Sequence, residues 1–389
     1  DRMARSGRFH TALLLLSTLD VALAFSPSLS RLPSLAPRRA VAVSQGGGGL
    51  LTMMTGAKKA AEPPAVPDHL KGKKLLGLGI AAVDFIATVD AYPKPDDKIR
   101  STSLSVMGGG NAANSLTACR RLGVECSLLT KLGQDDNGDL IRKELNRDGV
   151  DTTLCVTKAG LDSPFTYILV DSSTQTRTCI HTPIQEDLLP DEIPKDVLDG
   201  VSVVHLDGRN TLAAARLAEM ANEAKVPVLL DIEKERPDIE KVLPLADYII
   251  TNTQYPQIFK EGASTEEGMV ALLEQGRAKW VITTLGADGS QMMRRTSDDP
   301  KDQVKDPSLK YSSFEDYTVV KCAAAKPKSI VDTTGAGDSF IGAMLYGLVG
   351  GMPAEKAMLL ASVVAAAKCS GPGARSALPL RSEIDKKLL

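Results

Sequence analysis

From Lys73 onward the chain alternates short apolar runs with amphipathic stretches, and this alternation restricts the fold more than any other feature. VSVVHLDG, VPVLLDI, YIITN and WVITTLG are apolar on consecutive positions rather than on every second one. TLAAARLAEMANEA and EGMVALLEQG lie among them with apolar residues at helical spacing. Earlier, Asn111 to Leu122 reads as a helix, CSLLTKLG as a strand, and LIRKELNRDG as a helix with a glycine stop. Strands without a polar face need cover on both sides, which helices supply when they connect the strands of a parallel sheet. The expected fold is α/β and doubly wound, with a mostly parallel sheet flanked by helices. LLGLGIAAVDFIATV reads as a buried strand pair broken by glycines.

Two segments depart from the pattern. DKIRSTSLSVM (97–107) and TYILVDSSTQTRTCIHT (166–182) alternate polar and apolar residues, as half-exposed antiparallel strands do. They are expected outside the parallel sheet as a small lid, spanning about 92–108 and 163–184. Residues 294–316, RRTSDDPKDQVKDPSLKYSSFED, are charged and turn-rich and read as a surface loop between hairpin strands.

The composition removes several function classes. A net charge of −2 offers no basic excess for nucleic acid. Six cysteines form no CxxC pair and four histidines form no HExxH, so neither a zinc site nor a disulfide framework is indicated.

Residues 1–69 read as an address. Three arginines within residues 2–8 precede TALLLLSTLDVALA, which is 14 residues long and interrupted by Asp20, too short to span a bilayer. It ends in Ala22-Leu23-Ala24, the small-x-small pattern of a signal-peptide cleavage site. Phe25 to Ala61 then carries five basic residues and no acid. The expectation is a signal peptide over 1–24, a transit segment and linker over 25–69, and a folded domain over 70–389. This arrangement resembles the two-part plastid leaders of algae with secondary plastids, which implies a plastid protein with no membrane segment in its mature form.

The chemistry is concentrated in two glycine clusters. In VDTTGAGDSF, Gly335, Ala336 and Gly337 precede Asp338 at the start of an apolar helix. A helix N-terminus presents unpaired N–H groups and partial positive charge, and small residues let a phosphate oxygen approach them. Asp338 beside such a cradle is placed to accept a proton from an attacking hydroxyl. An acidic first turn after a tight loop is the plainer explanation of that motif alone. In MGGGNAANS, Gly108, Gly109 and Gly110 precede Asn111 and Asn114, two amides that suit the vicinal hydroxyls of a sugar. Asp84, in the apolar run AAVDFIA, needs polar partners, and ligand hydroxyls are suitable ones. No Walker A pattern is present.

GGGNAANS together with DTTGAGDSFIGA resembles the two signatures of the PfkB, or ribokinase-like, carbohydrate kinases, over about residues 73–389. The resemblance implies a ribokinase-like fold with a β-lid whose sheet often forms a homodimer contact. It implies a kinase using ATP and Mg²⁺, with Asp338 as catalytic base and Gly335, Ala336 and Gly337 as anion hole. Asp84, Gly110, Asn111 and Asn114 would hold the sugar; Thr284, Gly286 and Gly289 of TTLGADG, with Asn252, would lie at the ATP site. Asp332 would lie in a loop that binds a monovalent cation, K⁺ among them, although GARSALP (373–379) has Ala377 where Ser or Thr is common. Asn252 is followed by Thr253, Gln254 and Tyr255, so the family's Asn-x-x-Glu glutamate is missing.

DFIATVDAYPKPDDKIR, HLDGRN (205–210) and DIEKERP (231–237) are similar to the ketohexokinase branch. That match implies Arg209 at the substrate; Asp231 and Glu233, at a strand end on the expected ligand face, are placed to order Mg²⁺ waters. Each has a plainer alternative, a loop arginine paired with an acid and solvated strand-end carboxylates. The expected function is phosphorylation of a monosaccharide hydroxyl, a fructose-like ketohexose first, with ribose and then a nucleoside as alternatives. From another class, the rival is a catalytically silent plastid interaction protein. A scaffold has no reason to keep Asp338, Gly335, Gly337, Asn111, Asn114 and Asp84 together.

Overall fold

The computed structural model describes residues 64–174 and 176–389, so the expected signal and transit segments lie almost wholly outside the described residues. The strands, in chain order, are β1 (Lys74–Leu78), β2 (Ala82–Val89), β3 (Ser103–Gly109), β4 (Glu125–Leu129), β5 (Lys131–Gly133), β6 (Val150–Asp151), β7 (Val156–Lys158) and β8 (Phe165–Asp171). They continue with β9 (Thr176–Thr182), β10 (Val201–Leu206), β11 (Val228–Ile232), β12 (Tyr248–Thr251), β13 (Trp280–Thr284), β14 (Ser290–Arg295), β15 (Leu309–Phe314) and β16 (Tyr317–Cys322). The helices are α1 (Asn111–Arg121), α2 (Asp136–Arg147), α3 (Thr211–Glu223), α4 (Tyr255–Phe259), α5 (Thr265–Leu273), α6 (Ala336–Gly350) and α7 (Ala354–Lys368).

Ten strands form one sheet in the order β15-β16-β14-β13-β12-β11-β10-β1-β4-β6. Pairings from β6 through β13 are parallel, and β13-β14, β14-β16 and β16-β15 are antiparallel. The consecutive apolar residues of each strand divide between two cores. Leu75, Ile250 and Ile282 pack on one face with α1, α6 and α7, while Leu76, Leu78, Ile249 and Val281 pack on the other with α3 and α5. Strand order reverses beside β1, whose neighbours are β10 and β4. That switch point leaves a crevice at the carboxyl ends of β1 and β10, where α/β sheets bind ligands.

A separate four-stranded sheet, β3-β2-β8-β9, is the lid. The run LLGLGIAAVDFIATV is therefore divided: β1 enters the main sheet, whereas β2 leaves it and becomes a central lid strand. Residues 92–102 of the expected lid are irregular, and its strands occupy 103–109, 165–171 and 176–182 as well as β2. Segment 294–316 is only partly a loop, because it contains the end of β14 and all of β15. Its charges reflect an edge strand with one face in solvent. No helix among the described residues is long and apolar enough to cross a membrane.

Candidate active site

The crevice at the switch point is held together by Asp207, which follows β10. Its carboxylate accepts hydrogen bonds from the Ile80 N–H at 2.7 Å, the Ala112 N–H at 3.3 Å and the Arg209 N–H at 3.2 Å. It thereby fastens the turn after β1 to the first turn of α1. Burial pushes its carboxyl above the ordinary range, and the three N–H donors and Arg209 act against that. HLDGRN contains this residue, yet nothing local distinguishes it, because the two partners that give it its role, Ile80 and Ala112, lie about a hundred residues away.

Asp338 lies in the first turn of α6, after Gly335, which has a φ of 74°. A Cβ on Gly335 would come within 2.7 Å of the Ala374 Cβ, so this glycine satisfies packing and backbone conformation together. Gly337 differs, since a Cβ there would meet nothing within 4 Å. The N–H groups of Gly337 and Asp338 find no acceptor among the described residues, whereas the Ala336 N–H is bound to the Thr333 carbonyl at 3.2 Å. The open donors of the expected anion hole are thus those of Gly337 and Asp338, with Ala336 contributing shape.

The Asp338 carboxylate accepts a 2.8 Å hydrogen bond from the Asn114 side chain. Burial, with Glu233 and Asp207 nearby, raises its pKa to about 7 against the pull of Asn114 and Arg375. Carboxylate oxygens of Asp338, Asp231 and Glu233 all lie within 4.8 Å of one another. Asp231 is buried at the end of β11, its Oδ2 has no partner, and burial plus the neighbouring carboxylates hold its pKa well above the usual range. Three converging acids with an unsatisfied buried oxygen suit a hard divalent cation. Asn111 lies beside Asp231 and draws its pKa back down by hydrogen bonding.

Asn114 is occupied by the protein on both ends of its amide. Its oxygen accepts from Arg375 Nε at 2.7 Å while its nitrogen donates to Asp338, leaving one N–H for a ligand. Arg375 also donates to the Gly109 carbonyl at 2.8 Å. This buried guanidinium, unrecognised in the sequence, explains the first glycine of the run. A Cβ on Gly108 would approach Arg375 and Glu144, and one on Gly109 would strike Asp84. Gly110 has a φ of 93° and caps α1. Asp84, buried in β2, has its pKa raised to about 6 by burial, against hydrogen bonding from Thr166 and the charge of Arg375.

Arg209 stands beside Arg236 and the lid residue His181, whose pKa is lowered by burial and by both guanidiniums. Asn252 is used structurally: its oxygen accepts from the N–H groups of Gln254 and Tyr255, and its nitrogen donates to the Glu233 carbonyl at 3.1 Å. Its connection to the acid cluster therefore runs through the backbone of Glu233. Thr284 donates to the Thr251 carbonyl at 3.2 Å. Gly289 is required by packing, since a Cβ would lie 2.0 Å from the Cys322 carbonyl, whereas Gly286 faces open space. Asp332 organises its loop, accepting from the N–H and hydroxyl of Thr334 and from the Gly373 N–H.

The sequence pattern described as pfkB family carbohydrate kinase matches residues 73–381. The chain is 24% identical to ketohexokinase of Mus musculus, over 78% of this chain and 98% of that protein. It is 27% identical to an ATP-dependent ribose-1-phosphate kinase of Halopiger xanaduensis, over 78% of this chain and 94% of the relative. Arabidopsis thaliana ribokinase, solved with ribose and ATP, superposes with a TM-score of 0.66 at 19% identity, covering 83% of this chain and 97% of that one.

Proposed function

Since the chain belongs to the pfkB family of carbohydrate kinases, and is thus an ATP-dependent sugar or nucleoside kinase, we propose that it transfers the γ-phosphate of ATP to a hydroxyl of a ketohexose. The observation that carries the mechanism is Asp338, a carboxylate near pKa 7 beside two open N–H donors at a helix N-terminus. In this reading Asp338 takes the proton of the attacking hydroxyl, and the N–H groups of Gly337 and Asp338 stabilise charge on the transferring phosphoryl group. Asn114 holds the carboxylate in place, and Arg375 holds Asn114.

Asp84, Gly110, Asn111 and the free N–H of Asn114 would bind sugar hydroxyls, with Arg209 at the substrate's far side. The strand-end loop with Thr284, Gly286 and Gly289 would receive the nucleotide, and Asn252 would position Glu233. Asp231 and Glu233 would hold Mg²⁺, which supplies charge neutralisation of the phosphates when bound.

The lid supports a sugar over a nucleoside. Asp84 pairs with Thr166 and Thr166 with His181, so these polar residues share one lid face. Phe85, Phe165 and Tyr167 cluster on the opposite face, with ring centroids 5.2–6.1 Å apart, where they offer no platform to a base in the crevice. Leu104, Tyr167 and Ile180 on that outer face are each more than half exposed, which favours a homodimer through the lid. Ribose is the second reading, favoured by the ribokinase likeness in fold. Residence in the plastid rests on the leader composition alone.

Turnover of Mg-ATP with fructose, tagatose, ribose and adenosine tests the proposal. A preference for adenosine would contradict it.

A further inference from the structure

Lys368 is the last residue of α7 and has no exposed surface. A lysine at a helix C-terminus ordinarily reaches into solvent and interacts with the last carbonyls of its own helix. Here the ammonium turns inward. It donates to the carbonyl of Asp332 at 2.7 Å, 36 positions away, and to the carbonyl of Gly371 at 3.3 Å. A second buried lysine, Lys131, shows the usual solution, an ion pair with Glu192 at 2.7 Å. The direct acceptors of Lys368 are backbone carbonyls instead.

Those carbonyls belong to two loops that shape the phosphate cradle. Loop 331–335 leads directly into Gly335 and the open N–H groups of α6. Loop 369–375 carries Ala374, against which Gly335 packs, and Arg375, which holds Asn114 and through it Asp338. The loops are also joined by the Val331 N–H to the Cys369 carbonyl at 2.8 Å and by the Gly373 N–H to the Asp332 carboxylate at 2.8 Å. The ammonium sits where the two loops meet. Burying a charged amine is strongly unfavourable unless its acceptors stabilise the charge, and here those acceptors are the two loops themselves.

We propose that the Lys368 ammonium is a built-in cation of the phosphate loop: it fixes the two loops in their active arrangement and replaces the exchangeable monovalent cation expected at Asp332. The inference rests on the kinase reading above and names a positioning residue, since Lys368 touches no reacting atom. Burial lowers its pKa, with Arg177 acting in the same direction, while the carboxylates of Asp332 and Asp338 oppose that.

The test uses the purified chain in choline or Tris salts free of potassium and ammonium, with the sugar that supports turnover. Wild-type kcat should change by less than about twofold on adding KCl, because the position is filled. Lys368→Ala should lower kcat by about a hundredfold, the scale expected for a misplaced catalytic loop. Ammonium or n-propylammonium, the fragment the substitution removes, should restore at least about tenfold. Lys368→Met keeps the aliphatic packing without the charge, so it should fold, lose activity similarly and resist rescue. Affinity for Mg-ADP, measured by calorimetry, should weaken in Lys368→Ala and recover with ammonium. Strong potassium activation of the wild type would overturn the proposal, as would full activity in Lys368→Met or losses that no cation reverses in a folded Lys368→Ala. If the wild type binds Mg-ADP but phosphorylates no acceptor in any salt, the kinase reading fails and this inference falls with it.

Discussion

Asp338 combines a requirement for deprotonation with surroundings that resist it. Its pKa of about 7 arises from burial and from Glu233 and Asp207, with Asn114 and Arg375 opposing. The rate should therefore fall below about pH 7, as the base becomes protonated. Asp338→Asn should lower kcat by about 10² to 10⁴ and remove the acid limb of the pH profile, measured with the identified sugar. Stability should move in the opposite direction. The raised pKa means that the native state retains this proton while the unfolded chain loses it, so stability is lost as pH rises from 3.8 to about 7 and stays lower above. Thermal melting should show Asp338→Asn more stable than the wild type at pH 8, with the advantage shrinking toward pH 4. Asp338, Asp84 and Asn111 could be picked out of the sequence because they sit in or beside local patterns. Arg375 and Asp207 could not, since each acquires its role from partners roughly 100 to 270 positions away.

The start of α6 separates two uses of glycine that look identical in the string GAG. Gly335→Val would impose a side chain on a backbone with φ of 74° and against Ala374, so it should lower the melting temperature markedly. Gly337→Val meets no protein atom at Cβ and should leave stability nearly intact, while raising the KM for ATP or lowering kcat by filling the anion cradle. Equal melting losses in both variants would remove the distinction. The parallel strands β1, β4 and β10 to β13 of the main sheet were readable because a buried parallel strand must be apolar throughout. β2 was not, since AVDFIATV is as apolar as its neighbours even though it pairs in the lid. β15 was hidden by its charges and turn residues, which an edge strand accommodates on its solvent face.

At the scale of the molecule, the lid has two unlike faces. The inner one carries Asp84, Thr166 and His181, and the outer one carries Leu104, Tyr167 and Ile180. A Leu104→Asp, Tyr167→Asp double variant should convert a dimer to monomer in light scattering without reducing the melting temperature of the main domain. A wild-type monomer at micromolar concentration would exclude that use of the face. The alternation of strands and helices made the doubly wound sheet legible from the sequence, but the identity of the sugar depends on the closed shape of lid and crevice, which no local motif encodes. The central claim is that Asp338 transfers a proton from a sugar hydroxyl during phosphorylation. The most direct measurement is ADP release by residues 64–389 with Mg-ATP and fructose, beside ribose, tagatose and adenosine, in the wild type and Asp338→Asn. The account predicts turnover on a ketohexose that falls by at least about a hundredfold in the variant. Equal turnover in the two proteins, or binding of ATP and sugar with no ADP released by either, would contradict it.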